Sequence, residues 1–234
     1  MKKFTILMAI AALFSTAAIA QTSFGPVVGL NLSNLTKGDF EEAPDLKIGF
    51  HIGGKAAFEI TENFIISPEL LFSIKGAKVK DSFQEIDVQN LGGVIFTTTT
   101  TEEGEANLSL SYIEIPIWAL YRLESGLNFG IAPYVGILAG VKTTDEGTST
   151  TSVHESSGNT TTTTTTSYEF ESTETDGYSG VDFGVGFGVG YMMERGFGVQ
   201  LHYKLGLGDI FEENPGKSIS NSVIGISLSY MFGN

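Results

Sequence analysis

Two stretches in the last third of the chain alternate bulky apolar residues with small or polar ones. Val181, Phe183, Val185, Phe187, Val189 and Tyr191 are separated by Asp182, Gly184, Gly186, Gly188 and Gly190. After a short break, Phe197, Val199, Leu201, Tyr203, Leu205 and Leu207 are separated by Gly198, Gln200, His202, Lys204 and Gly206. A period of two places these sets on opposite faces of a strand. The same alternation predicts six further strands. Their apolar faces are Phe24–Leu32, Ile48–Phe58, Phe64–Ile74, a fourth over residues 107–123, Phe129–Val141 and Ile224–Phe232. In the fourth, Leu108, Leu110 and Tyr112 give way to Ile113, Ile115 and Ile117, a phase shift that predicts a β-bulge within this strand.

The connections are unequal. Thr61-Glu62-Asn63, Glu124-Ser125-Gly126 and Glu194-Arg195-Gly196 are short turns, whereas residues 35–46, 79–106, 143–177 and 209–220 form long links. Short turns at one end, long loops at the other and an even strand number predict an all-β, closed, eight-stranded antiparallel up-and-down transmembrane β-barrel. The short turns are then periplasmic and the long loops extracellular. Closure follows from the solvent, since an open sheet edge in hydrocarbon leaves costly unpaired backbone groups. Outward aromatics near the short turns (Phe24, Phe58, Phe64, Tyr121, Phe129, Phe197, Tyr230 and Phe232) predict an interfacial girdle. A soluble lipocalin-like barrel would reverse the pattern, with charge outside and apolar residues within.

The first residues read as an export signal: Lys2 and Lys3, an apolar stretch from Ile6 to Phe14, and Ala18-Ile19-Ala20 as a cleavage site before Gln21. The expected organisation is a signal peptide, residues 1–20, and one barrel domain, residues 21–234, placed in a bacterial outer membrane. No cysteine occurs, which excludes disulfides, a lipidated cysteine and thiol chemistry.

The net charge of −14 lies in the long links, and residues 143–177 alone carry seven acids and no lysine or arginine. Such acidity argues against nucleic-acid partners. That link also holds seven consecutive threonines, Thr160–Thr166, and Thr97–Thr101 repeat the theme in the second link. Its low apolar content predicts a flexible acidic extracellular loop, part of which extends the neighbouring strands because threonine is β-prone. It is either an adhesive or shielding loop, glycosylated or cation-bound, or a variable loop without a partner.

Inward positions carry Glu69, Lys75, Glu114, Arg122, Asp182, His202 and Lys204, beside Trp118 and His51. An eight-stranded lumen is only wide enough for side chains to fill it, so these charges are expected to pair as a structural plug. Glu69, Glu114 and Asp182 are the natural partners of Lys75, Arg122 and Lys204; a narrow pore is the alternative. No catalytic, cofactor-binding or metal-ligand spacing is present. Ser111 and Asp182 could be pressed into rim catalysis, but nothing favours it, and the Gly184–Gly190 repeat follows the strand period rather than that of a phosphate loop.

Pro68-Glu69-Leu70-Leu71-Phe72 with Lys75-Gly76-Ala77 resembles the third strand of the PorT-like outer-membrane barrel proteins, and Tyr112-Ile113-Glu114-Ile115-Pro116 resembles their fourth. Ala132–Gly136, Gly184–Gly190 and Tyr203–Leu207 are similar to later strands. The resemblance covers the strands and none of the long links, and implies an OmpX-like eight-stranded barrel. It implies outer-membrane lipid and the barrel-assembly machinery as partners, without an assigned molecular function. Carrying secretion over from the family's namesake would rest on fold alone. The expected role is non-enzymatic anchoring of surface loops by a monomer. An accessory subunit of an envelope or secretion complex and a small-solute pore are the other two classes.

Overall fold

The computed structural model describes residues 22–36, 44–158, 160–213, 216 and 218–233. The export signal lies outside them. Nine strands follow in order: β1 (Thr22–Leu35), β2 (Lys47–Glu59), β3 (Phe64–Leu91), β4 (Val94–Arg122), β5 (Leu127–Glu155), β6 (Thr160–Ser172), β7 (Val181–Met192), β8 (Phe197–Gly206) and β9 (Asn221–Tyr230). All pairings between them are antiparallel. Eight strands close a ring in the order β4-β3-β2-β1-β9-β8-β7-β5, completed by the pairing of β4 with β5. β6 lies outside the ring, paired only with the far half of β5.

Alternation sets the two surfaces of the barrel as the sequence predicts. Ile48, Leu70, Phe187 and Ile226 are exposed on the outside, and Lys75, Glu114, Asp182 and Lys204 are buried within. No helix among the described residues is long and apolar enough to cross a membrane; the crossing elements are strands. The three short turns stand where expected, between β2 and β3, β4 and β5, and β7 and β8. Gly126 and Gly196, at φ +89° and +83°, take the left-handed conformation that two of them need. The outward row Phe64–Tyr121–Phe129 and the edge-to-face rings of Phe197, Tyr230 and Phe232, with neighbouring centroids 4.8 Å apart, line that end. They form the expected girdle.

Two expectations are corrected. The fourth strand does not change face: Leu110 and Tyr112 are buried inside on the same side as Glu114 and Trp118, and Ile113, Ile115 and Ile117 are outside. The irregularity is in the β4–β5 register, where Ser111 pairs with Gly140 but Tyr112 pairs with Leu138. The extra residue is therefore Ala139 of β5. It turns Val141, expected outside, to the buried side. What resembled a slip in β4 is a change of filling, since the outer end of the lumen is apolar.

The second correction concerns length. β3, β4 and β5 do not stop near Lys78, Asn107 and Val141 but run on to Leu91, back from Val94, and out to Glu155. Residues 79–106 are one continuous hairpin, with Leu91 paired to Val94 across Gly92-Gly93. Both glycines have positive φ, +66° and +92°, as a two-residue hairpin turn of this kind demands. β5 and β6 add a second hairpin, in register from Thr143–Ser172 to Glu155–Thr160. The result is a four-stranded sheet, β3-β4-β5-β6, that leaves the barrel rim and extends for roughly 40 Å.

Candidate functional site

The lumen is filled in layers. At its outer end Leu35, Ala77, Leu110, Tyr112, Val141, Ile210 and Ile219 form an apolar cap, with Tyr178 and Phe211 packed against it. Beneath lies a charge layer. Lys75 Nζ is 2.6 Å from Glu114 Oε2 and 2.9 Å from Asp182 Oδ2, and Lys204 Nζ also pairs with Glu114. Asn221 Nδ2 donates to Asp182 at 3.2 Å, and the Lys75 ammonium lies 4.6 Å from the centre of the Tyr134 ring. Two cations face two anions, so the layer is neutral. Lys75 and Glu114 are 1% and 0% exposed, a burial tolerable only for paired charges.

Beside this layer His51 joins Asn31 and Ser227, each at 2.8 Å, and Asn31 reaches Ser73 at 3.1 Å. His202 packs edge-on against His51 and Trp118, with ring centroids 5.6 and 6.0 Å away. The inner half holds Trp118 with Ile65, Leu120 and Ala132. Glycines make the room. A Cβ on Gly188 would stand 3.0 Å from Trp118, and one on Gly225 would stand 2.2 Å from the His202 ring.

The expected plug residues thus divide. Lys75, Glu114, Asp182 and Lys204 come together, with His202 at their flank. Glu69 does not join them but pairs with Lys55 at 3.2 Å. Arg122 is bound to Glu59 at 2.7 Å on the short-turn rim, away from its expected carboxylates. Ser111 lies on the outward side of β4 while Asp182 faces the lumen, so the two do not form a pair.

Outside the barrel the four-stranded sheet is the other distinctive structure. Its base is tied by lysines: Lys78 to Glu105 at 2.5 Å, Lys80 to Asp45 at 2.8 Å and Lys142 to Glu171 at 2.7 Å. The hydrogen bond and charge of Lys80 hold the Asp45 carboxyl below its ordinary value. Above the base the sheet carries acids and no basic residue except His154.

One face, continuous with the lumen side, sets Phe83, Phe96, Val153, Tyr168 and Phe170 among threonines. Tyr168 lies across the side-chain-free strip of Gly104 and Gly147, where a Cβ would meet its hydroxyl at 3.0 and 2.5 Å. The other face sets Glu105, Glu146 and Glu169 side by side. Among the described residues no group of three or more potential ligands has the arrangement to hold a metal ion. Hydroxyls link the strands: Thr150 with Thr165 at 3.2 Å, Ser152 with Thr163 at 3.1 Å and Thr100 with Thr151 at 3.5 Å. His154 joins Thr161 in the same way at 3.1 Å.

A closed antiparallel ring with an apolar belt outside and a charge-paired lumen inside defines a transmembrane β-barrel. The family model described as the outer membrane protein beta-barrel domain matches residues 19–212, and the chain belongs to that family. Among solved structures it is similar to Ail, the attachment invasion locus protein of Yersinia pestis, at 11% identity over 91% of this chain and 99% of that one, with a TM-score of 0.40. It is also similar to Neisserial surface protein A, at 12% identity over 91% and 98% of the two chains, TM-score 0.34. An outer-membrane channel from Pseudomonas putida F1 shares 8% identity over 91% and 96%, TM-score 0.29. No curated protein matches the chain.

Proposed function

We propose that this protein is a non-enzymatic, PorT-like surface-display barrel, a plugged anchor that holds a rigid acidic sheet away from the outer membrane. The observation that carries this reading is the continuity of β3, β4 and β5, which pass unbroken from the barrel wall into the projecting sheet. A strand anchored in a barrel fixes the direction and register of its own extension. The sheet is therefore a positioned surface and not a tether. Export with cleavage after Ala20, insertion by the barrel-assembly machinery and a single barrel per unit in its own membrane belong to the same proposal.

The filled lumen favours display over the pore alternative, because an apolar cap and a neutral ion cluster occupy the path a solute would take. The complex-subunit alternative requires a partner on the belt or the inner rim. Photocrosslinking in living cells separates these readings. A crosslinker at Thr99, on the sheet, is expected to capture extracellular proteins or glycans. One at Ile226, on the lipid-facing belt and 47% exposed, is expected to capture lipid only. Defined envelope proteins captured at Ile226, with nothing at Thr99, would overturn display in favour of the subunit reading.

A further inference from the structure

The projecting sheet has two free edges, and they are not equivalent. Beyond the isolated bridge of Lys78 to Asp45, the far side of β3 meets no strand among the described residues, but its edge carries Asp81, Glu85 and Asp87. Charges on an edge are a common guard against pairing with other chains. β6 also has no strand on its far side among the described residues. For seven residues, Thr160–Thr166, it has no charge, no proline and no glycine. Threonine favours extended backbone, and half the backbone donors and acceptors of an edge strand point away from its neighbour.

The position of this run selects an occupant. Thr160 pairs with Glu155 at the tip of the sheet and Ser172 pairs with Thr143 at its base. The uncharged run is thus the outermost half of β6, and Glu169 and Glu171 lie in the inner half. A second copy of the same edge fits it in one orientation. Antiparallel pairing about a two-fold axis at Thr163 sets Thr160 against Thr166, Thr161 against Thr165 and Thr162 against Thr164. It brings no two acids opposite each other and forms about seven new backbone hydrogen bonds. Parallel pairing would set Glu169 against Glu169 and Glu171 against Glu171, like charges directly opposed.

The orientation has a consequence for membranes. Two copies side by side in one membrane are related by an axis along the membrane normal, which keeps strand directions parallel. Antiparallel pairing of strands that rise from the surface reverses one copy, so the two barrels lie in facing membranes. Only the tips then overlap, and there the β6 edge itself carries no charge. We infer that the Thr160–Thr166 edge of β6 is a homotypic contact site that joins two copies of this protein across facing membranes, each completing the other's sheet. Single contacts of this size are weak, and many copies on two apposed surfaces act together. The inference rests on the display reading above, since a buried or inward-facing sheet has no such partner.

The chain has no cysteine, so Thr163→Cys introduces a single thiol at the two-fold axis. Full-length protein is placed in phosphatidylcholine vesicles as two populations, one isotope-labelled. An impermeant maleimide first reports whether the thiol is outside, and mild oxidation follows mixing. The expected result is outside labelling, mixed-label disulfide dimers that form only after the populations meet, and vesicle clustering. Thr163→Lys and Thr163→Glu are each expected to lose clustering, by like-charge contact at the axis, and to regain it when the two variants are mixed. An unlabelled thiol overturns both the display reading and this inference. A labelled thiol without mixed-label dimers, or dimers confined to one population, overturns the inference alone. So does a Thr163→Lys variant that clusters as the wild type does.

Discussion

At the residue scale the lumen works by fit. Gly225 faces the ring of His202, which is held between His51 and Trp118. Gly225→Ala is expected to destabilise the barrel by about 1–3 kcal/mol, the usual cost of overpacking. A lower urea midpoint for unfolding of the detergent-solubilised barrel reads this out. Gly140→Ala, whose new methyl meets nothing within 4 Å, should leave that midpoint unchanged. The charge layer makes a sharper prediction. Glu114→Gln strips Lys204 of its carboxylate and leaves Lys75 to Asp182 alone, a loss of about 3–5 kcal/mol. Adding Lys204→Met restores neutrality and should recover part of it. Arg122→Gln, which breaks a partly exposed rim pair, should cost no more than about 1 kcal/mol. An equal effect of Glu114→Gln and Arg122→Gln would show that the buried layer is not the plug.

At the scale of elements, the eight membrane strands were legible because lipid outside and a narrow lumen inside impose strict alternation. The same strictness made four of the seven expected lumen residues meet in one cluster. Partner choice was not legible, because pairing in a barrel depends on stagger between strands far apart in sequence. Lys55 therefore took Glu69, and Glu59 took Arg122.

The alternation over residues 107–123 points to a bulge in β4, whereas the extra residue, Ala139, lies in β5. Leu110 and Tyr112 are apolar inside for reasons of capping, and apolarity alone does not distinguish cap from belt. The outer sheet was legible only as a partial extension of the neighbouring strands, and its full length was not, for a different reason. Threonine-rich segments bury little apolar area, and taken alone they would not fold. Here the barrel supplies the first paired row, so each further row extends an existing ladder. One local signal was present: Gly92-Gly93 between Phe83–Val88 and Val94–Thr101 is a hairpin turn flanked by β-prone residues. Hydrogen exchange on the detergent-solubilised protein should show slow amides over 97–106 and 144–155 and fast ones over 173–177. Uniformly fast exchange from 79 to 106 would restore the flexible loop.

At the scale of the whole molecule the barrel has two jobs separated in space. The lumen is closed by neutral charge pairing and an apolar cap, so planar bilayers containing the protein should show no discrete conductance steps. The outer sheet carries acids over almost all its length, is fastened by lysines at its base and has one uncharged edge at its tip. Its place outside the cell is the central claim. Intact cells bearing Thr99→Cys or Glu194→Cys, treated with an impermeant maleimide, test it most directly. Labelling of Thr99→Cys in intact cells, with Glu194→Cys labelled only after permeabilisation, is the predicted result. The reverse pattern would place the sheet in the periplasm and contradict the account.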